Sequence, residues 1–172
     1  MQDTLPIHFA PLQGYTEAIY RNAHDAFFGG VDTYYTPFVR LEKGNFRRRD
    51  VRGIEPENNG VPHLIPQLIA SSAEKAEVIL SLFIEKGYQE VDINLGCPFP
   101  LLAKRHNGSG ILPYPEEVKA LLSIVTRYPQ ISFSVKMRLG WEQPDECLAL
   151  APILNDLPLR QITCLLYTSP SP

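Results

Sequence analysis

Apolar and polar residues alternate with period two from Val91 to Gly96, so Val91, Ile93 and Leu95 share one face of a strand while Asp92, Asn94 and Gly96 share the other. A carboxylate and an amide are thereby carried into an otherwise apolar element. Burying them is costly unless they are paired, so this strand either holds a polar network or feeds a binding site. Cys97 stands at its carboxyl end, and Pro98 biases the cysteine toward an extended backbone.

The remaining pattern is read in chain order. Leu5 to Leu12 forms an apolar run closed by Gln13-Gly14, a first strand and turn, and Thr16-Glu17 opens a helix that Gly29-Gly30 stops after Phe28. Asp32 to Val39, rich in Thr, Tyr, Phe and Val, reads as a second strand, and His63 to Ala70 as a third. Ser71-Ser72-Ala73-Glu74 starts a helix over Ala73–Lys86 with Ala76, Ile79, Leu80 and Phe83 on one stripe, and Gly87 ends it. After the Val91–Gly96 strand, Pro115 starts a helix whose apolar face is Val118, Leu121, Leu122 and Val125. Ile131 to Leu139 is a fifth strand, and Asp145 to Asn155 a helix whose last turn carries Pro152.

Short strands alternating with amphipathic helices specify an α/β chain with a parallel sheet, either doubly wound or closed as a barrel. No G-x-G-x-x-G follows the first strand, which weakens a dinucleotide-binding fold. In a barrel the residues at the carboxyl ends of strands build the site, which would gather Pro11, Gln67, Asn94, Cys97, Lys136 and Arg138.

Composition narrows the class without naming a chemistry. A chain of 172 residues, 44% hydrophobic, holds one medium domain with a core, and a net charge of −3 excludes a globally basic nucleic-acid binder. Three widely spaced cysteines argue against a disulfide framework and a zinc site, and no apolar stretch approaches the roughly 20 residues needed to span a bilayer. A cytoplasmic protein without metal is expected. Six basic residues against two acids cluster between Arg40 and Arg52, where Arg47, Arg48 and Arg49 are consecutive. They form either a solvated face or a contact for nucleic acid.

Ser134, Lys136 and Arg138 share one side of the fifth strand. Two cations there imply either a structural ion pair with Asp92 or an anionic ligand. Gln67 is either a satisfied core amide or a match for the donor–acceptor edge of a flavin or pyrimidine. Cys97 is open to reading as nucleophile, metal ligand, acid or inert buried thiol, and a protonated thiol could donate to a carbanion-like centre. Gly108-Ser109-Gly110 is expected as a mobile loop over the site.

The ordered set Ala10-Pro11-Leu12-Gln13-Gly14-Tyr15-Thr16 with Arg21, Pro66-Gln67-Leu68, Asp92 to Pro98, and Val135-Lys136-Met137-Arg138-Leu139-Gly140-Trp141 resembles the tRNA-dihydrouridine synthase family. Leu12-Gln13 depart from it slightly, standing where Met-Ala or Met-Glu is commoner. The resemblance implies a TIM barrel, here an incomplete (β/α)8 with five to six of its eight units, that uses FMN and NADPH to reduce a uridine of tRNA. It implies that Pro11 and Leu12 line the flavin through their backbone, that Gln67 and Lys136 bind its ring system, that Asn94 orients, that Arg138 touches flavin or uracil, and that Cys97 is the proton donor. Lys104, Arg105 and Arg47 to Arg49 become candidate tRNA contacts. Other readings are a different FMN-barrel pyrimidine oxidoreductase, such as a dihydroorotate dehydrogenase, or a non-catalytic RNA-binding half-barrel.

By the same resemblance residues 1–163 are a partial catalytic barrel, and residues 164–172 depart from the family as a non-native or read-through tail. Two further βα units and a helical tRNA-binding domain would follow in a family member, which is expected to be a monomer at full length. A chain of this extent is expected to be inactive.

Overall fold

The computed structural model describes residues 5–165; residues 166–172 of the expected tail lie outside the described residues. The elements run β1 (His8–Phe9), α1 (Ala18–Phe27), β2 (Thr33–Tyr35), a hairpin of β3 (Leu41–Glu42) and β4 (Asn45–Phe46), α2 (Arg48–Ile54), β5 (Leu64–Ile65) and β6 (Gln67–Leu68). They continue with α3 (Ala73–Glu85), β7 (Glu90–Leu95), α4 (Pro100–Ala103), α5 (Pro115–Arg127), β8 (Ser132–Arg138), α6 (Glu146–Asn155) and β9 (Gln161–Leu165).

Every pairing outside the hairpin is parallel, and neighbours follow chain order: β1 with β2, β2 with β5, β6 with β7, β7 with β8, and β8 with β9. The two sheets meet at Pro66, which separates β5 from β6 because it has no N–H to give a ladder. Its carbonyl still accepts from Asp92 N at 3.0 Å, and a parallel bridge joins Val39 to Leu68, so the run is continuous. A doubly wound sheet reverses its order at a switch point, whereas sequential order belongs to an arc of a (β/α) barrel.

The sheet is also curled. Arg160, just before β9, donates to Tyr35 Oη at 3.3 Å and pairs with Glu90 at 3.2 Å. In a flat sheet β2 and β9 would stand four strand spacings, about 19 Å, apart. Contact between their side chains requires the face between them to be concave. On the opposite, convex face Val91, Ile93, Leu95, Phe133, Val135 and Met137 are buried in one core with Ile79, Leu80 and Phe83 of α3, Leu121 and Leu122 of α5 and Leu150 of α6. Each such large side chain stabilises the fold by about 2 kcal/mol when fully buried, so helix stripes and strand alternation act together.

The helices match their sequence signals: Ser72 caps α3, Gly87 follows it at φ +84°, Pro115 leads α5, and Pro152 lies inside α6. Three segments differ from expectation. The polar Arg40–Asn59 segment folds into the β3–β4 hairpin and α2; Lys43 and Gly44, both at positive φ, make the tight turn. α4 appears where no helix pattern was visible, Pro100 supplying its first position. Gly108–Ile111 is a buried 3-10 turn and not a loop lying open over the site. β9 reaches Leu165, with Cys164 opposite Met137.

Arg21 ties this end of the arc together. Its side chain is wholly buried and donates to the carbonyls of Thr16 (2.6 Å) and Gly53 (2.8 Å) and to Asn59 Oδ1. Burial lowers its pKa to about 10, opposed by Tyr88 and Glu17, and still leaves it charged at neutral pH. Arg21→Ala would strand these acceptors in the interior, with an expected loss of about 3 kcal/mol in urea unfolding; a loss below about 1 kcal/mol would show that they find other partners.

Candidate active site

β7 places its polar face on the concave side, and there the side chains form one directed chain of hydrogen bonds. Asn94 Oδ1 accepts from the backbone N–H groups of Gly96 (3.0 Å) and Cys97 (2.9 Å). Its Nδ2 must then face outward, and it donates to Gln67 Oε1 at 2.7 Å. Gln67 Nε2 in turn donates to Asp92 Oδ2 at 2.6 Å, and Ser134 Oγ donates to Asp92 Oδ1 at 2.6 Å. Two backbone donors at one end therefore fix the orientation of both amides and demand an acceptor at the other. An ionised Asp92 meets that demand, although burial pushes its pKa up; the Ser134 and Gln67 hydrogen bonds, then Lys136 and Arg160, pull the other way.

The far end of this chain is the half-buried Cys97. Its N–H is held by Asn94, and its carbonyl accepts from Ser109 N (3.0 Å) and Ser109 Oγ (2.9 Å). Gly108 comes so close, at φ +61°, that a Cβ there would lie 2.6 Å from the Cys97 carbonyl oxygen. The expected mobile loop is thus a clamp on the cysteine's backbone, with Ser109 fully buried.

Lys136 stands directly opposite Asn94 in the β7–β8 register. It is half-buried, and no acid lies within 4.0 Å of its ammonium among the described residues, so of the two readings the structural ion pair of Lys136 with Asp92 is not made. Burial lowers its pKa from the usual 10.5, Arg138 adds to this, and Asp92 and Cys97 oppose it. Arg138, half-buried, is two residues along the same face of β8. Pro11 and Leu12 follow β1, where Leu12 O accepts from Tyr15 N and Thr16 N and Leu12 N donates to Thr16 Oγ1 at 2.9 Å. Leu12 therefore offers an exposed side chain and not free backbone groups.

A cavity of about 400 Å³ opens beside Cys97, lined also by Gln13, Phe38, Arg40, Arg47, Phe99 and Leu102. Of the basic candidates only Arg47 reaches it. Arg48 is exposed, Arg49 pairs with Glu17 at 3.5 Å, and Lys104 is exposed. Arg105 lines a neighbouring cavity of about 460 Å³ with Arg40, Lys43 and Lys75. His106, hydrogen-bonded to Glu117 and stacked on Tyr114, is turned to α5. Gln13, Phe38, Arg40 and Phe99 were not singled out as site residues from sequence; only the position of Gln13 directly after Pro11-Leu12 hinted at it. Among the described residues no cluster of His, Cys, Asp and Glu suits a metal ion, and no helix is long and apolar enough to cross a membrane.

A family model described as dihydrouridine synthase (Dus) matches residues 8–163. The chain belongs to the dihydrouridine synthase family. Similar proteins include a probable tRNA-dihydrouridine synthase 1 of Synechocystis, 27% identical over 90% of this chain and 43% of that protein. The tRNA-dihydrouridine(16) synthase of Haemophilus ducreyi is 28% identical over 91% of this chain and 50% of its own length. A tRNA-dihydrouridine synthase B of Klebsiella pneumoniae is 29% identical over 56% and 30%. The chain thus spans half or less of the length of these relatives.

The direction of the hydrogen-bond chain is testable by paired variants. Asp92→Asn keeps an acceptor for Gln67 and can donate to Ser134, so the network survives. Because the Asp92 pKa is raised, the parent loses stability as pH rises through it, and the Asn variant gains on the parent over that range. Gln67→Glu puts a second carboxyl against Asp92; we expect a loss of about 3 kcal/mol at neutral pH that recovers as the pH falls and the new carboxyl takes a proton. Equal, pH-independent stabilities in denaturant titrations would contradict the assigned direction.

Proposed function

We propose that this chain is the amino-terminal five to six βα units of an eight-unit TIM barrel, part of a cytoplasmic, flavin-dependent enzyme that reduces uridine in tRNA to 5,6-dihydrouridine. The observation that carries the reading is the clamped, half-exposed Cys97 at the carboxyl end of β7, beside a cavity and one strand from Lys136. Membership in the family supports it, as do relatives named for this reaction. The exposed apolar residues at both ends of the arc, Ile19 and Phe27 on α1 with Phe28 just after it, and Leu148 on α6 with Ile162 on β9, suit cover by further barrel units.

The concave face fits FMN by the chemistry of its donors. Lys136 is a half-buried cation without an acid in contact range among the described residues, as an electron-rich ring would require, and Gln67 keeps one N–H beyond the one given to Asp92. Pro11, Leu12, Gln67 and Lys136 would hold the group, with Arg138 near flavin or uracil. FMN held there and reduced by NADPH would supply the hydride for carbon 6 of the uracil. Cys97 Sγ–H donates the proton to carbon 5, so that two hydrogens are added across the double bond. Asn94 does not touch the base in this account; it fixes the Cys97 backbone and hence where the thiol points.

The uridine must leave its stack to come within reach of Cys97, and a 400 Å³ cavity with Phe38 and Phe99 on its walls suits a single flipped base. Arg47, Arg48, Arg49, Lys104 and Arg105 then face the phosphates of the RNA. Activity is expected only with the additional length the relatives possess. In the full-length protein, Cys97→Ala should retain the yellow chromophore while tRNA reduction slows by about 100-fold or more. Unchanged turnover would remove Cys97 from the acid role, and a colourless parent protein would remove the flavin.

A further inference from the structure

A cavity of about 460 Å³ adjoins the Cys97 cavity and has no part in the chemistry proposed above. Three separated segments meet around it. The turn of the β3–β4 hairpin brings Lys43, the first turn of α3 brings Lys75, the chain after α4 brings Arg105, and Arg40 completes the wall. Lys43, Lys75 and Arg105 are exposed, whereas Ile69, Ile79 and Leu102, which line the same cavity, are buried. The cavity thus has an apolar floor and a cationic rim.

Its positive charge is not neutralised from within the fold. Glu42, an acid on the same wall, lies 3.6 Å from Arg40 and 3.9 Å from Arg47. Among the described residues no acid comes within 4.0 Å of Lys43, Lys75 or Arg105, and Lys75 Nζ donates to Ser71 Oγ at 2.8 Å. Cations gathered around one concavity draw an anion carrying several charges, phosphate above all, and buried apolar walls take a flat ring. RNA bears its phosphates on the outside of a wide polymer, which can touch the rim and leaves the floor uncovered. A free nucleotide enters with base and phosphates together. Arg40 and Leu102 wall both cavities, so a ligand anchored here can extend toward the site. We propose that this cavity binds the adenine nucleotide half of the dinucleotide reductant, its base on the apolar floor and its phosphates on Lys43, Lys75 and Arg105. The inference rests on the reading of the chain as part of an NADPH-dependent flavoenzyme.

Arg105 also faces the RNA in the account above, so Lys43 and Lys75 are the residues to change. Both are exposed, and an acid in the first turn of α3 suits the helix dipole. With full-length, flavin-loaded protein, the double variant Lys43→Glu/Lys75→Glu is compared with the parent in two half-reactions. One is bleaching of the flavin by NADPH; the other is reoxidation by tRNA after reduction with dithionite. We expect the half-saturating NADPH concentration to rise at least tenfold and that of tRNA to change less than threefold. Adenosine 2′,5′-bisphosphate, the probe for this half of the dinucleotide, should compete with NADPH in the parent.

A smaller NADPH shift, or a tRNA shift of threefold or more, overturns the proposal, and the second result would give the rim to RNA. Absence of competition by the bisphosphate in the parent overturns it without any variant. A parent that holds no flavin, or whose flavin NADPH does not bleach, overturns this proposal together with the proposed function. One that NADPH bleaches and no tRNA reoxidises overturns the proposed function alone.

Discussion

One side-chain oxygen, Asn94 Oδ1, receives two backbone N–H groups at the end of β7, and much of the site's order follows from it. Backbone donors cannot be reversed, so this contact sets the polarity of every amide behind it through Gln67 to Asp92. The same contact sets the course of the chain as β7 gives way to Cys97, which lines the cavity and packs against Phe38, Ile69 and Leu102. Ser109 and Gly108 close the clamp from the other side. Cys97, whose side chain makes no hydrogen bond among the described residues, is thereby positioned through its backbone.

The concave face carries a second polar layer at the amino-terminal ends of its strands. Thr33 bonds His63, His63 bonds Glu90, Glu90 pairs with Arg160, and Arg160 reaches Tyr35, which contacts His8. These groups span the arc from β1 to β9 and hold its curvature from inside, while the helices press on it from outside. Curvature matters to function here because it is what brings residues from β1, β6, β7 and β8 to one mouth. The polar interior is thus divided: the lower layer shapes the sheet, and the upper one serves the site.

Much of this was legible in the residues. The period-two alternation of Val91 to Gly96 announced a strand with a polar face, and the stripes on α3 and α5 announced which helix faces are buried. The chain of motifs resembling the family placed Cys97 and Lys136 near each other, as β7 and β8 do. What sequence could not show is how polar groups are partnered. An ion pair of Asp92 with the cations of β8 was one of the two readings open, yet Ser134 and Gln67 take both of its oxygens. The Gly108–Gly110 stretch looked mobile because its glycines are flexible in isolation; in the fold that freedom is spent on a close approach to Cys97. The basic run from Arg40 hid a hairpin and a helix, because ion pairs to Glu42, Glu17 and Asp50 come from tertiary placement and leave no periodicity.

The central claim is that Asn94 holds the backbone of Cys97, and amide hydrogen exchange at that residue tests it most directly. The account predicts that the Cys97 N–H, on a half-exposed residue, exchanges far more slowly than an open amide in the parent protein. It also predicts that Asn94→Leu, which removes the acceptor at similar size, releases that protection while the amides of β8 keep theirs. A Cys97 amide that exchanges at the open rate in the parent, or that stays protected without Asn94, would contradict it.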